Sequence, residues 1–404
     1  MDGIVEQAIG RTFQLLPMDK VTSGAGCIAQ LGATLAAYDI RRALVITGTT
    51  LAKQTGLLDR VVHAADGRIA GVFHETRQHV PRAAVLAAAA HARAIGADAI
   101  ISFGGGSPND TAKAVLFALA DDVRDDAGFE AKRIKFAYPT TVEVPSIDGA
   151  CLPLIAIPTT LSASEYTDFV GVTDETRHIK DLYLDPKLTA KAVLLDPELT
   201  LATPPWLWLS SGMRAVDHCI EALCSTTAHP FTDALAAHAL RMLARFLRQT
   251  RADPDNLVAR EQAQIASWMS VCGLANVTLG LSHGIGHQLG ARCNVPHGHT
   301  SCVMLPATMR FNARHTALRQ AWVAELMGID TAGMRVEQAA AAAADAVLQL
   351  VRDLDQPATL REVGVGPEAF DAIAEDALQD LIVASNPRPV TAPSDVVALL
   401  ESAY

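Results

Sequence analysis

The chain has 404 residues, more than one compact core usually holds and enough for two. Half of the residues are hydrophobic and 19% are charged, which excludes a disordered chain. The net charge is −11 and no block of lysines and arginines interrupts it, so a nucleic-acid surface is excluded and a small-molecule partner is expected.

The first twenty residues lack a basic stretch followed by an apolar one, and no run of about 18 uncharged apolar residues occurs, so neither a signal peptide nor a membrane span is read. The seven cysteines are scattered without a CxxC pair, as expected for reduced thiols in a cytoplasmic protein. Gly24-Ala25-Gly26 opens a formal match to the dinucleotide fingerprint. No acidic residue ends the following strand, so the match is read as a structural turn. That strand, Ala43–Thr47 (ALVIT), is short, branched and apolar, and Gly48 ends it. Residues 81–95 open with proline, are rich in alanine and stop at Gly96, which predicts a buried helix. Residues 99–103 (AIISF) form a second buried strand and run at once into Gly104-Gly105-Gly106-Ser107 and a helix. Residues 154–157 (LIAI) form a third, closed by Pro158.

Strands alternating with helices predict a parallel sheet covered on both faces. After Asp196 helical periodicity takes over, in residues 212–225, 233–249, 259–273, 336–354 and 367–383. The expected architecture is an α/β, Rossmann-like nucleotide-binding domain over 1–200 and an all-α domain over 201–404, with the active site in the cleft between them. Residues 121–150 form a charged insertion of unassigned use.

Three glycines between a strand and a helix let the backbone approach a pyrophosphate, and the free amides at the helix start attract it. Ser107 can cap the helix or donate to phosphate. Ile157-Pro158-Thr159-Thr160 offers hydroxyls after the third strand, as an ordinary polar loop also would. Four histidines form the other constellation: His218 on an apolar helix, His283 and His287 four apart on one helical face, and His297 in a loop. Imidazoles from two helices and a loop could hold a divalent ion, with one left for proton transfer. Gly284 follows His283 where a zinc protease has glutamate, so that reading fails.

In order and spacing, GGGSPNDTAK (104–113), IPTT (157–160), SGMRAVDHCIEAL (211–223) and HGIGHQLGARCNVPHG (283–298) resemble the marks of iron-containing alcohol dehydrogenases. The resemblance spans nearly the whole chain. It implies an NAD(H) or NADP(H) cofactor and a homodimer. It also implies that Gly105, Gly106, Ser107 and Asp110 lie at the pyrophosphate, Thr159 and Thr160 toward the nicotinamide, Lys180 on the cofactor and His287 beside the reacting ring.

The family's metal is held by an aspartate and three histidines. His218, His283 and His297 match the histidines, but Arg214 stands at the aspartate. A guanidinium stays protonated and offers a cation no lone pair, so no metal is expected. If one is present, Glu221 or Asp217 must join the three histidines. The metal-independent branch, typified by maleylacetate reductases, shares the VF…HVP pattern seen in residues 72–81. On that likeness the expected activity is reduction of a small carboxylate-bearing carbonyl or enone. Arg214 would anchor the carboxylate, His287 would relay a proton, and His218, His283 and His297 would polarise oxygen. The alternatives are a metal-dependent alcohol dehydrogenase or aldehyde reductase, and a nucleotide-binding relative without catalysis. NAD-selective members often carry aspartate where Gly48 stands, so tolerance of NADPH is expected.

Overall fold

The computed structural model describes residues 12–137, 141–177 and 179–404. Its ten strands are β1 (Lys20–Ser23), β2 (Ala43–Thr47), β3 (Ile69–Phe73), β4 (Ala99–Gly104), β5 (Lys135–Ala137), β6 (Thr141–Glu143), β7 (Leu154–Pro158), β8 (Phe169–Asp174), β9 (Ile179–Leu184) and β10 (Ala192–Leu195). Six form one parallel sheet in the order β1-β10-β7-β4-β2-β3. Two antiparallel hairpins, β5–β6 and β8–β9, stand apart from it. Among the described residues every strand ends by Leu195, and the regular elements beyond it are helices.

The sheet is apolar on both faces because its side chains alternate between two cores. Leu44, Ile46, Ile100, Leu154 and Ala156 point into the larger core. Val45, Ile101, Phe103, Ile155 and Ile157 point into the smaller one, against Leu31, Leu35 and Val61. Register sets the site: Thr47 pairs with Phe103, and Gly104 with Pro158. The loops leaving β2, β4 and β7 therefore emerge level at the carboxyl edge, where open parallel sheets bind ligands.

The helix Arg82–Ile95 starts after Pro81 and stops at left-handed Gly96, as the sequence predicts. The insertion folds as a short helix, Asp126–Lys132, followed by the β5–β6 hairpin. An ion network pins it down: Arg82, 3% exposed, bonds Glu130 (2.8 Å) from the insertion and Asp174 (2.9 Å) and Asp181 (2.7 Å) from β8–β9. Ile134 also donates its amide to Leu182 of β9 at 2.8 Å.

The helix Pro205–Cys224 is buried at every residue from Trp208 to Leu223, which carries Arg214, Asp217, His218 and Glu221 into the interior. Two expectations need correction. His297 is not in a loop but is the first residue of the long helix His297–Leu326, entered from Pro296. Residues 367–383 are not one helix: Phe370–Ala377 ends, and Asp380 caps a new turn, Leu381–Ala384, by accepting from the Ile382 amide. Among the described residues no single helix is long and apolar enough to cross a membrane.

Candidate active site

Gly104 turns β4 into the next helix at φ +142°, a conformation open essentially to glycine. A Cβ on Gly105 would lie 2.9 Å from the Thr160 methyl, so the loop packs directly on the IPTT turn. The helix Gly106–Ala120 then begins with its first amides unspent, an anion-binding arrangement. Lys113, fully buried, fastens the facing loop: Nζ donates to Ser164 O (2.7 Å), Thr167 Oγ1 (2.9 Å) and Phe169 O (2.7 Å). Burial pulls its pKa down to about 8 against the opposing pull of Asp110, Asp168 and Glu165. At the rival glycine turn Asp196 already accepts from the Gly26 and Ile28 amides, both at 3.1 Å, so a carboxylate of the chain itself occupies the place a phosphate would need.

A cavity of about 200 Å³ runs from Gly106, Ser107 and Asp110 past Lys180 to Arg214, His218, His283, His287 and His297. Gly171 lets the Lys180 stem lie across the β8–β9 hairpin, because a Cβ there would overlap it. The His218 and His283 rings are 4.9 Å apart, and those of His287 and His297 stack at 5.7 Å and 3°. His283 Nδ1 donates to Glu221 Oε2 at 2.7 Å, leaving its Nε2 buried without a partner. His287 Nδ1 donates to Asp380 Oδ2 at 2.8 Å, which leaves Nε2 for the cavity. Arg214 donates from Nη2 to His297 Nε2 at 3.0 Å and from Nη1 to Ser301 Oγ at 3.2 Å. Asp217 lies 3.9 Å from its Nη1.

Burial and then the nearby Arg214 guanidinium push His283 down to about 3. Burial likewise holds His218 and His297 well below the usual imidazole range, so all three rings are neutral at physiological pH. The fixed positive charge of this corner is the guanidinium.

Residues 18–197 match the iron-containing alcohol dehydrogenase pattern, and residues 208–404 the C-terminal pattern of the Fe-containing alcohol dehydrogenase family. The chain is 32% identical to lactaldehyde reductase of Escherichia coli (strain K12) over 94% of its own length and 97% of that protein's. It is 30% identical to maleylacetate reductase of Pseudomonas sp. (strain P51) over 95% of each. A crystal structure of 1,3-propanediol oxidoreductase superimposes with a TM-score of 0.88 at 30% identity, covering 98% of this chain and 100% of that one. This chain belongs to the iron-containing alcohol dehydrogenase family. Like its relatives it is an oxidoreductase.

The family's metal has to be tested against the residues present. Arg214, which the resemblance sets at the acidic ligand, bonds Nε2 of His297 at 3.0 Å, a nitrogen the expected metal set would use. Glu221, the substitute ligand named from sequence for the case that a metal is present, already spends its oxygens within the chain. It accepts from the Gly280 and Ser282 amides (each 2.8 Å) and from His283, capping the helix Leu281–Cys293. Asp217 Oδ2 accepts from Ser282 (2.8 Å) and Ser301 (2.7 Å), although Oδ1 is buried without a partner. A guanidinium at position 214 does not fit the family's ion, although Asp217, Glu221 and His283 bring ligand atoms within 4.8 Å of one another.

Of the residues expected from sequence, Gly106, Ser107, Asp110, Lys180, Arg214 and the four histidines line one cavity. Gly105 lies just behind its wall as the helix cap. Thr159 and Thr160 are buried beneath the glycine loop, where Thr160 Oγ1 meets Ser162 Oγ at 2.9 Å; Ser162, Ala163 and Ser164 are the residues on the wall. Gly48 stands at the end of β2, off this cavity. Asp380, Ser301 and His79 also belong to the site and were missed. His79 had a signal, since it stands in the HVP run. Asp380 had none, lying 93 residues from His287.

Proposed function

We propose that this chain is a cytoplasmic, homodimeric NAD(P)H-dependent reductase of a small carboxylate-bearing carbonyl compound or conjugated enone, and that it works without a metal. The observation that carries the reading is the Arg214–His297 hydrogen bond in the corner where relatives place an acid and an ion. The open amides of Gly106 and Ser107 would hold the cofactor's pyrophosphate. Lys180, and the loop that Thr159 and Thr160 shape, would hold the nicotinamide end of the cofactor. Bound there, the cofactor would supply the hydride for the carbonyl or enone carbon. His287, held through Nδ1 by Asp380, takes a proton from solvent at Nε2 and relays it to the reduced substrate. The Arg214 guanidinium pairs with the substrate carboxylate. With Gly48 in place of an acid, a 2′-phosphate meets no repulsion, so NADPH is accepted.

The test is turnover of NADPH and NADH against a panel of 2-oxo acids, enoates and aldehydes, using protein purified without chelators and assayed for metals. Reduction of the acids, unaffected by chelator, is expected. One tightly bound iron or zinc per chain, with activity abolished by chelator, would sink the reading. A metal-dependent alcohol dehydrogenase is the second reading. It is favoured by one observation, the approach of ligand atoms of Asp217, Glu221 and His283 to within 4.8 Å of one another. On that reading His283→Ala removes metal and activity together.

A further inference from the structure

A second cavity, of about 270 Å³, adjoins the main one and shares Lys180, Leu182 and His287 with it. Segments distant in sequence build it: the insertion through Arg133, the β8–β9 hairpin through Arg177 and Asp181, and the break after the helix Phe370–Ala377 through Gln379 and Asp380. Ile179 and Gln379 stand exposed on its wall, so it opens to solvent. Charged and amide side chains dominate the lining. Most of the charges are spent on each other: Arg133 pairs with Glu130 (2.8 Å), Arg177 with Asp174 (2.7 Å), Asp181 with Arg82 (2.7 Å) and Asp376 with Arg292 (2.5 Å). Among the described residues the Lys180 ammonium and the Gln379 amide bond nothing, which leaves both to hydrogen-bond water.

Reduction takes up one hydride and one proton per turnover, and the proton must come from water. On the reductase reading, substrate occupies the main cavity when the proton is needed. That cavity's wall includes Val271, Leu274, Leu279 and Ile382, which offer water no hydrogen bond. The Nδ1 edge of His287 is closed by Asp380 at 2.8 Å, and one face of the ring is covered by the parallel His297 ring at 5.7 Å. We infer that the second cavity is the route by which solvent protons reach His287, with Lys180 and Gln379 holding water along it. A hydronium ion gives its proton to Nε2 and leaves as water. The ring, then protonated on both nitrogens and balanced by Asp380, passes the Nε2 proton to the reduced substrate and returns to its neutral Nδ1–H form. The helix break acquires a purpose, since it sets Asp380 between the cavity and the ring. The inference rests on the proposed relay by His287 and adds the path that supplies it.

The experiment plugs the cavity from two walls, with Ile179→Trp and Gln379→Trp made separately. Both positions are exposed, and either variant serves if the other misfolds. With pyruvate or propionaldehyde as substrate, each plug should lower kcat about tenfold and leave KM unchanged. The solvent deuterium isotope effect on kcat should rise above that of wild type, and the effect of NADPH deuterated at C4 should fall toward one. The NADPH Kd, read by fluorescence titration, should not move. Exchange of the His287 Cε1 hydrogen in D2O, followed by mass spectrometry without turnover, should be slower in each plugged variant than in wild type. An unchanged solvent isotope effect, ring exchange as fast as in wild type, or a loss confined to KM or to cofactor affinity would each overturn the route. If no acid or aldehyde is reduced at all, the reductase reading fails, and the exchange measurement still decides whether solvent reaches His287 through this cavity.

Discussion

Replacing Arg214 by aspartate restores the family's acidic ligand, and the structure sets the size of the effect. The guanidinium lies 3.9 Å from Asp217. At an effective dielectric constant of about 20, that attraction is on the order of 4 kcal/mol. Arg214→Asp loses it and adds a third acid beside Asp217 and Glu221, so the apo variant should melt below wild type. It also frees His297 Nε2. A divalent ion should then bind among the new aspartate, His218, His283 and His297. At a thousand times its Kd, an ion bound only by the folded state adds about 4 kcal/mol. At about 2 °C per kcal/mol for a large domain, the melting point rises by about 8 °C. The assay is thermal denaturation with and without Zn²⁺ or Fe²⁺, wild type beside variant, with metal content measured after gel filtration. Wild type should shift by less than about 1 °C, a stabilisation too small to reflect a saturated site. If wild type gains as much as the variant, the guanidinium does not exclude the metal and the reasoning is refuted.

Gly48→Asp should shift preference toward NADH by about tenfold, the worth of one unfavourable charge contact of about 1.4 kcal/mol. The side chain has room, since the nearest atom to a Cβ there is Thr76 Oγ1 at 3.8 Å, and kcat/KM with each cofactor reads the result. Asp380→Asn should lower kcat by about one to two orders of magnitude with little change in melting point, because the His287 tautomer is no longer fixed by a carboxylate; unchanged kcat would free His287 of that role. Burial raises Glu165 from 4.5 to about 7, so between these values the folded state holds the extra proton and stability falls as pH rises. The unfolding free energy of Glu165→Gln relative to wild type should therefore climb from pH 5 to 7 and level off above, as read by denaturant titration. Gly298→Ala should destabilise by about 1–3 kcal/mol, because its Cβ would lie 2.6 Å from the Ser210 carbonyl and push the first turn carrying His297 off the Pro205–Cys224 helix.

What could be read from sequence was local chemistry: glycines between a strand and a helix, histidines one helical turn apart, and an arginine where relatives have an acid. Longer connections were hidden. Glu221 looked like a spare ligand, yet its oxygens bond residues 59 to 62 positions away. His297 looked like a loop residue because Pro296 and Gly298 flank it. Proline is well tolerated just before a helix, and Gly298 is there to let that helix approach Ser210. The insertion carried charge but no motif, and its place became visible only through Arg82, which joins it to a hairpin the sequence did not reveal.

The same connections explain why one substitution can change the chemistry while the fold stays as it is. Glu221 and Asp217 hold the start of the His283 helix through backbone amides and serines, so that frame stands whether the third charge is a ligand or a guanidinium. The two cations differ in what they do to oxygen. A divalent ion concentrates its charge on the oxygen it binds, whereas a guanidinium spreads one charge over three nitrogens and acts through directed hydrogen bonds. On the proposed reading, this site therefore polarises a carbonyl less than a metal would, and holds a carboxylate better. Such a site suits substrates whose own second carbonyl or double bond already activates the reacting carbon, and it suits an unactivated alcohol poorly, which sets the direction of the reaction toward reduction.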